Sequence, residues 1–135
     1  MAQDTRVKFI GEIQSQLTQM DACPMQGHEG APAARLVIYP AFREAMEGIR
    51  PGSRLVVLTW LDKADRHVLK VHPRGNRNNP LTGVFLTRSP NRPNPVGLHD
   101  VRVLDVNETG LAVEPIEALN QTPVIDIKLA LPEQS

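Results

Sequence analysis

The chain has 135 residues, 41% hydrophobic and 22% charged, with fifteen basic residues balanced by fifteen acidic ones. This is one domain's worth of chain, residues 1–135, and its neutrality leaves no steering charge, so a nucleic-acid partner would need a local basic patch. A single cysteine, Cys23, excludes an internal disulfide, and His28, His67, His72 and His99 lack the spacing of a metal site.

The opening residues, MAQDTRVKFIG, carry no basic segment followed by an apolar run, and no stretch has the length of a membrane span. A cytoplasmic protein without a membrane partner is expected. Twelve prolines and nine glycines divide the chain into short runs rich in Val, Ile, Leu and Thr, the texture of an all-β domain. Strands are predicted at 6–15, 34–39, 54–61, 67–73, 82–88, 100–108, 110–118 and 123–128. The first alternates Val7, Phe9 and Ile13 with Lys8, Glu12 and Gln14, as a strand with one wet face does. One helix is predicted in AFREAMEG, residues 41–48, with Phe42, Ala45 and Met46 on one face and Gly48 as its stop. NETG, residues 107–110, reads as a hairpin turn. Eight short strands and one short helix predict a small antiparallel β-barrel with long ordered loops.

Four polar segments interrupt this pattern. In TRSPNRPNPVGL, residues 87–98, each proline fixes its own φ and pushes Ser89, Arg92 and Asn94 into extended conformations. A loop ordered in this way loses little entropy on binding, which favours a ligand site. The same composition serves a stiffened connection that blocks edge pairing, or a polyproline ligand. In CPMQGHEG, residues 23–30, the Gln26 amide and backbone polar groups are available to a ligand. WLDKADR, residues 60–66, brings Asp62, Lys63, Asp65 and Arg66 to a strand end, as a solvated cluster or a site. In EALNQTPVIDIK, residues 117–128, a turn precedes Asp126 and Lys128, which share one strand face as a surface pair or part of a polar site. No Walker loop, GxGxxG or GxSxG motif is present.

The run GVFLTRSPNRPNPVGL, with TPVIDIK after it and PMQG near the start, closely resembles the TrmO family of S-adenosylmethionine-dependent tRNA methyltransferases. The resemblance implies a β-barrel that binds S-adenosylmethionine at a homodimer interface. It implies methyl transfer to the exocyclic nitrogen of threonylcarbamoyladenosine beside the tRNA anticodon. Carried over motif by motif, it assigns cofactor contacts to Pro24, Met25, Gln26, Asp62, Lys63, Arg88, Leu98, Leu119, Asn120, Gln121 and Thr122. Met25 replaces the family's arginine, Asp62 its histidine, and Asn120 and Gln121 its Asp and Gly.

A sulfonium methyl is already activated, so the implied reaction needs no metal but gains from a base. Asp126 is the candidate base, with Lys128 orienting it or meeting substrate charge. Arg74 and Arg92 are candidates for a phosphate or the threonyl carboxylate, with Arg92 held out between the cofactor contacts. Two other readings stand beside this one: a non-catalytic barrel that binds S-adenosylmethionine or a related nucleotide, and a methyltransferase for another small substrate.

Overall fold

The computed structural model describes residues 4–15 and 33–132. Its strands are β1 (Gly11–Gln14), β2 (Ala34–Ile38), β3 (Arg54–Trp60), β4 (Lys70–Val71), β5 (Thr82–Gly83), β6 (Val96–Asn107), β7 (Gly110–Glu114) and β8 (Pro123–Leu129). Six of them close into an antiparallel barrel in the order β1–β2–β7–β6–β3–β8, while β4 and β5 pair by themselves. The all-β barrel expected from the sequence is therefore present, built from six strands rather than eight.

Alternation fills the barrel. Leu55, Val57 and Thr59 of β3 are buried while Val56, Leu58 and Trp60 between them are only partly covered. Leu36 and Ile38 of β2, Val101 and Val103 of β6, and Leu111 and Val113 of β7 meet them inside. Burying a side chain of this size contributes about 1.5–3 kcal/mol. Ile116 and Ala118, in the segment after β7, close one end of the core.

Close approach requires glycine at two positions on the barrel wall. A Cβ at Gly110 would overlap the carbonyl oxygen of Leu36, and one at Gly11 the carbonyl oxygen of Val37. The predicted hairpin turn is present: Asn107 Oδ1 accepts from the backbone N–H groups of Thr109 at 2.9 Å and Gly110 at 3.1 Å.

Several sequence-based elements need correction: the strand expected over 6–15 is only Gly11–Gln14, with Val7 and Phe9 exposed ahead of it, that over 67–73 is only Lys70–Val71, and that over 110–118 ends at Glu114. The predicted helix is a 3₁₀ helix over Pro40–Met46, opened by a proline that has no N–H to leave unpaired. Phe42 and Met46 pack against the core, but Ala45 is exposed. The strand expected over 82–88 survives only as Thr82–Gly83, because Val84–Leu86 turns into a 3₁₀ helix. Finally, β6 begins at Val96, so the last residues of the proline loop form strand, with Leu98 opposite Leu58 and Gly97 opposite Thr59.

Candidate functional site

The proline loop is held from within. The Thr87 hydroxyl donates to the carbonyl of Val84 at 2.9 Å and accepts from the N–H of Ser89 at 3.1 Å. Arg92 turns back over the same backbone: Nη1 donates to the carbonyls of Thr87 at 2.9 Å and Ser89 at 3.2 Å, and Nη2 to that of Val84 at 3.0 Å. The expectation that Arg92 projects outward as a substrate cation is therefore corrected. A planar guanidinium with five N–H donors can reach several carbonyls of one turn at once, and here it does so. Arg88, four residues earlier, is exposed.

The charged segment after β3 is stapled to this loop. Asn91 Oδ1 accepts from the N–H of Asp65 at 2.9 Å, and Arg66 Nε donates to the carbonyl of Pro93 at 2.7 Å. The Arg66 guanidinium also lies 5.1 Å from the centre of the Trp60 ring, within cation–π range. Two polar segments distant in sequence thus form one rigid wall.

That wall bounds a groove of about 1460 Å³. It brings together Asp62, Lys63, Arg88, Leu98, Leu119 and Thr122 from four separated segments, and Arg74, Arg77 and His99 also line it. Small-molecule sites commonly take about 300–1,000 Å³, so the groove has room for a second reactant. The turn at 119–122 is divided between two faces. Leu119 and Thr122 face the groove, with the Thr122 hydroxyl donating to the Leu119 carbonyl at 2.7 Å. Asn120 and Gln121 instead line a second cavity with Gln14 and Arg35, and Asn120 Oδ1 accepts from the N–H of Ser15 at 3.0 Å. Pro24, Met25 and Gln26 lie outside the described residues.

Asp126 and Lys128 do not line the groove. A bulge in the β3–β8 pairing, between Leu58 and Thr59, sets Asp126 opposite Leu58 and Lys128 opposite Val56, on the outer face of the barrel. There Asp126 Oδ2 stands 3.6 Å from Lys128 Nζ. Leu98, Leu58 and Asp126 form one row across three strands. Asp126 is consequently two strand spacings, about 9–10 Å, beyond the Leu98 rim.

Sequence reasoning missed the floor of the groove. His99 Nε2 is 2.9 Å from the hydroxyl of Thr59, which is fully buried. A Cβ on Gly97 would run into both side chains, so this glycine makes room for the pair. Burial pushes the His99 imidazole down to about 4, against a smaller opposing effect of the Asp100 carboxylate, and the ring is neutral at physiological pH. The available signal was a histidine in step with Gly97, Val101 and Val103. It was hidden because the strand was expected to begin only at Asp100.

A charge asymmetry was also hidden by the neutral total. Residues 61–95 carry seven basic side chains, Lys63, Arg66, Lys70, Arg74, Arg77, Arg88 and Arg92, against two acidic ones, Asp62 and Asp65. The remaining chain has the opposite surplus.

Residues 12–134 match the model of the tRNA-methyltransferase O N-terminal domain. The chain belongs to the TrmO family. One relative, a "Probable S-adenosyl-L-methionine-binding protein" of Methanocaldococcus jannaschii, is 46% identical over 98 residues, 70% of this chain and 78% of that protein. Another of the same name from Methanothermobacter thermautotrophicus is 40% identical over 125 residues, 93% of this chain and 89% of that one. Among solved structures, TrmO from Pseudomonas aeruginosa superposes with a TM-score of 0.75 at 30% identity, over 96% of this chain and 57% of that one. The chain thus spans less than two thirds of the solved TrmO chain. Within the described residues no helix is long and apolar enough to cross a membrane, and no group of three or more His, Cys, Asp or Glu side chains is placed to hold a metal.

Proposed function

We propose that this chain is an S-adenosylmethionine-dependent tRNA methyltransferase, and that its acceptor is the exocyclic nitrogen of threonylcarbamoyladenosine beside the anticodon. The observation that carries the reading is the convergence of Asp62, Lys63, Arg88, Leu98, Leu119 and Thr122 on one groove. The donor set suits the cofactor. Leu98 and Leu119 offer apolar contact to adenine, Asp62 a carboxylate to ribose hydroxyls or an ammonium, and Arg88 and Lys63 cations to a carboxylate. The neutral His99 adds no charge beneath a cationic ligand. The names of the relatives support the same cofactor. Pro24, Met25 and Gln26, outside the described residues, and Asn120 and Gln121, which line the second cavity, are assigned to it by their motifs alone.

When bound, S-adenosylmethionine supplies a methyl group already activated on sulfur, which leaves positioning and proton removal to the protein. The rigid wall of residues 62–66 and 87–95 fixes Lys63 and Arg88 with little entropy left to lose. Arg74 is assigned to the acceptor's phosphate or carboxylate. Asp126, partnered by Lys128 and about 9–10 Å beyond the Leu98 rim, is assigned to accept the proton from an acceptor nitrogen that reaches it across the outer face of the barrel. The segment bearing seven of the fifteen basic residues supports a nucleic-acid acceptor. Such a protein works where tRNA is, in the cytoplasm.

We also read the assembly as a homodimer. Leu69, Leu81, Phe85 and Leu86 are exposed, Phe85 by 84% and Leu86 by 86%, and Leu86 borders the groove. A second copy over this patch would remove apolar surface from water and close that edge. Light scattering tests it, and a monomer mass at micromolar concentration would sink it.

The activity test offers labelled S-adenosylmethionine to the purified protein with tRNA that carries or lacks the threonylcarbamoyl group. Label entering only the modified tRNA is the expected result. Cofactor binding without incorporation would assign the chain to a binding module instead.

A further inference from the structure

Between β3 and the proline loop the chain leaves the barrel as a small arm, made of β4, β5 and the turn joining them. The turn is fixed by its own side chains. His72 Nδ1 bonds the carbonyl of Asn79 at 2.9 Å, Asn79 Nδ2 donates to the carbonyl of Pro73 at 2.8 Å, and the N–H of Asn78 donates to Asn76 Oδ1 at 2.9 Å. Arg74 is held at a φ of 59° and Gly75 at 66°, both left-handed. This order is maintained without an apolar core: within 72–79 no residue is buried.

Lys70 and Arg77 are exposed, and residues 67–84 contain no Asp or Glu. The ion pairs Arg6–Asp4, Arg102–Glu114 and Lys128–Asp126 lie outside the arm. Strand alternation sets Lys70 on the face opposite Leu69 and Val71. Arg77 borders the groove, so the positive surface runs continuously from the site onto the arm.

We propose that this arm is an RNA-docking surface, on which Lys70 and Arg77 bind phosphates flanking the nucleotide presented to the groove. The inference rests on the tRNA reading above and adds to it the surface that receives the backbone. Phosphate contacts fix position and register without reading sequence, and a rigid turn presents its cations at low entropic cost. An anticodon loop is largely single-stranded, so its backbone can cross the arm while one base enters the groove.

The test measures tRNA binding by filter retention from about 50 to about 200 mM salt, the range over which phosphate contacts are strongly screened. It uses the full chain, the double variant Lys70→Gln/Arg77→Gln, and a control, Arg50→Gln/Arg54→Gln, that removes the same charge from the barrel. Thermal unfolding followed by circular dichroism, expected to match the wild type within a few degrees, reports that each variant is folded. The arm variant is expected to lose roughly tenfold in tRNA affinity and about 1.4 units of the log–log salt slope, ~0.7 per lost phosphate contact on single strands. The control is expected to keep the slope, and Lys70→Arg/Arg77→Lys to restore it. Wild-type affinity and slope in the arm variant, or an equal loss in the control, would overturn the docking surface alone. Failure of the wild type to bind tRNA would overturn the tRNA reading and the arm's role with it.

Discussion

Arg92 Nη2 donates to the carbonyl oxygen of Val84, eight residues earlier in the chain, at 3.0 Å. Together with its bonds to Thr87 and Ser89, this makes the arginine an internal brace of the loop that presents Arg88. Hydrogen bonds from a charged donor are worth about 1.5–3 kcal/mol each when buried, less where water competes. Arg92→Ala is expected to raise KM for S-adenosylmethionine about tenfold, with a smaller change in kcat and a lowered melting temperature. Arg92→Lys should fall between, because one ammonium cannot span three carbonyls. Unchanged cofactor affinity in Arg92→Ala would show that the prolines and the other hydrogen bonds hold the loop without this brace.

The barrel was legible in the sequence, and so were several of the segments that border the groove, for physical reasons. Alternation of the Leu55, Val57, Thr59 kind is a property of single strands and is visible without a structure. Closure into six strands depends on pairings between segments far apart, and period-two patterning does not specify them. Proline counting identified the loop as rigid but could not say where Arg92 points, since that depends on how the turn over residues 84–89 gathers its carbonyls within reach of one guanidinium. Asp126 and Lys128 were correctly placed on one face. Which face that is was decided by the bulge at Leu58/Thr59, a one-residue irregularity with no marker in the sequence.

Gly97 tests the floor of the groove. An added Cβ would overlap Thr59 Oγ1 and press on His99 Nε2, both parts of a packed and hydrogen-bonded pair. Gly97→Ala should destabilise the protein by about 1–3 kcal/mol, the usual cost of overpacking, and weaken cofactor binding more than a distant change of equal cost. Urea unfolding and calorimetry measure the two effects. Adding Thr59→Ala should recover part of the stability, because it removes the overlapping hydroxyl. No recovery in the double variant would mean that the clash lies elsewhere.

His99 gives the protein an acid-sensitive floor. Its folded value of about 4 lies below the ordinary 6.5, so the unfolded chain binds the proton more readily between these values. Stability from this group is fully present above pH 6.5 and falls as pH drops toward 4, by about 2–4 kcal/mol in total, with no further loss below. His99→Gln keeps a hydrogen-bonding partner for Thr59 but does not titrate. It should flatten the stability profile across this interval in chemical denaturation at pH 7, 5.5 and 4. An unaltered slope would place the sensitivity in another group.

Asp126 separates chemistry from binding. Its carboxylate lies outside the groove, so Asp126→Asn should leave S-adenosylmethionine affinity unchanged. The ion pair with Lys128 is exposed on both sides, and its loss should cost less than about 1 kcal/mol. If Asp126 accepts the proton, however, methylation of modified tRNA should fall by about 10²-fold, the lower end of what a positioned base contributes. The decrease should appear in kcat, with KM for the cofactor preserved, since the residue meets the acceptor and not the methyl donor. Single-turnover methylation across pH 6 to 9 reads the chemical step directly. A rate equal to wild type throughout would reduce Asp126 and Lys128 to a surface pair and leave solvent as the proton acceptor.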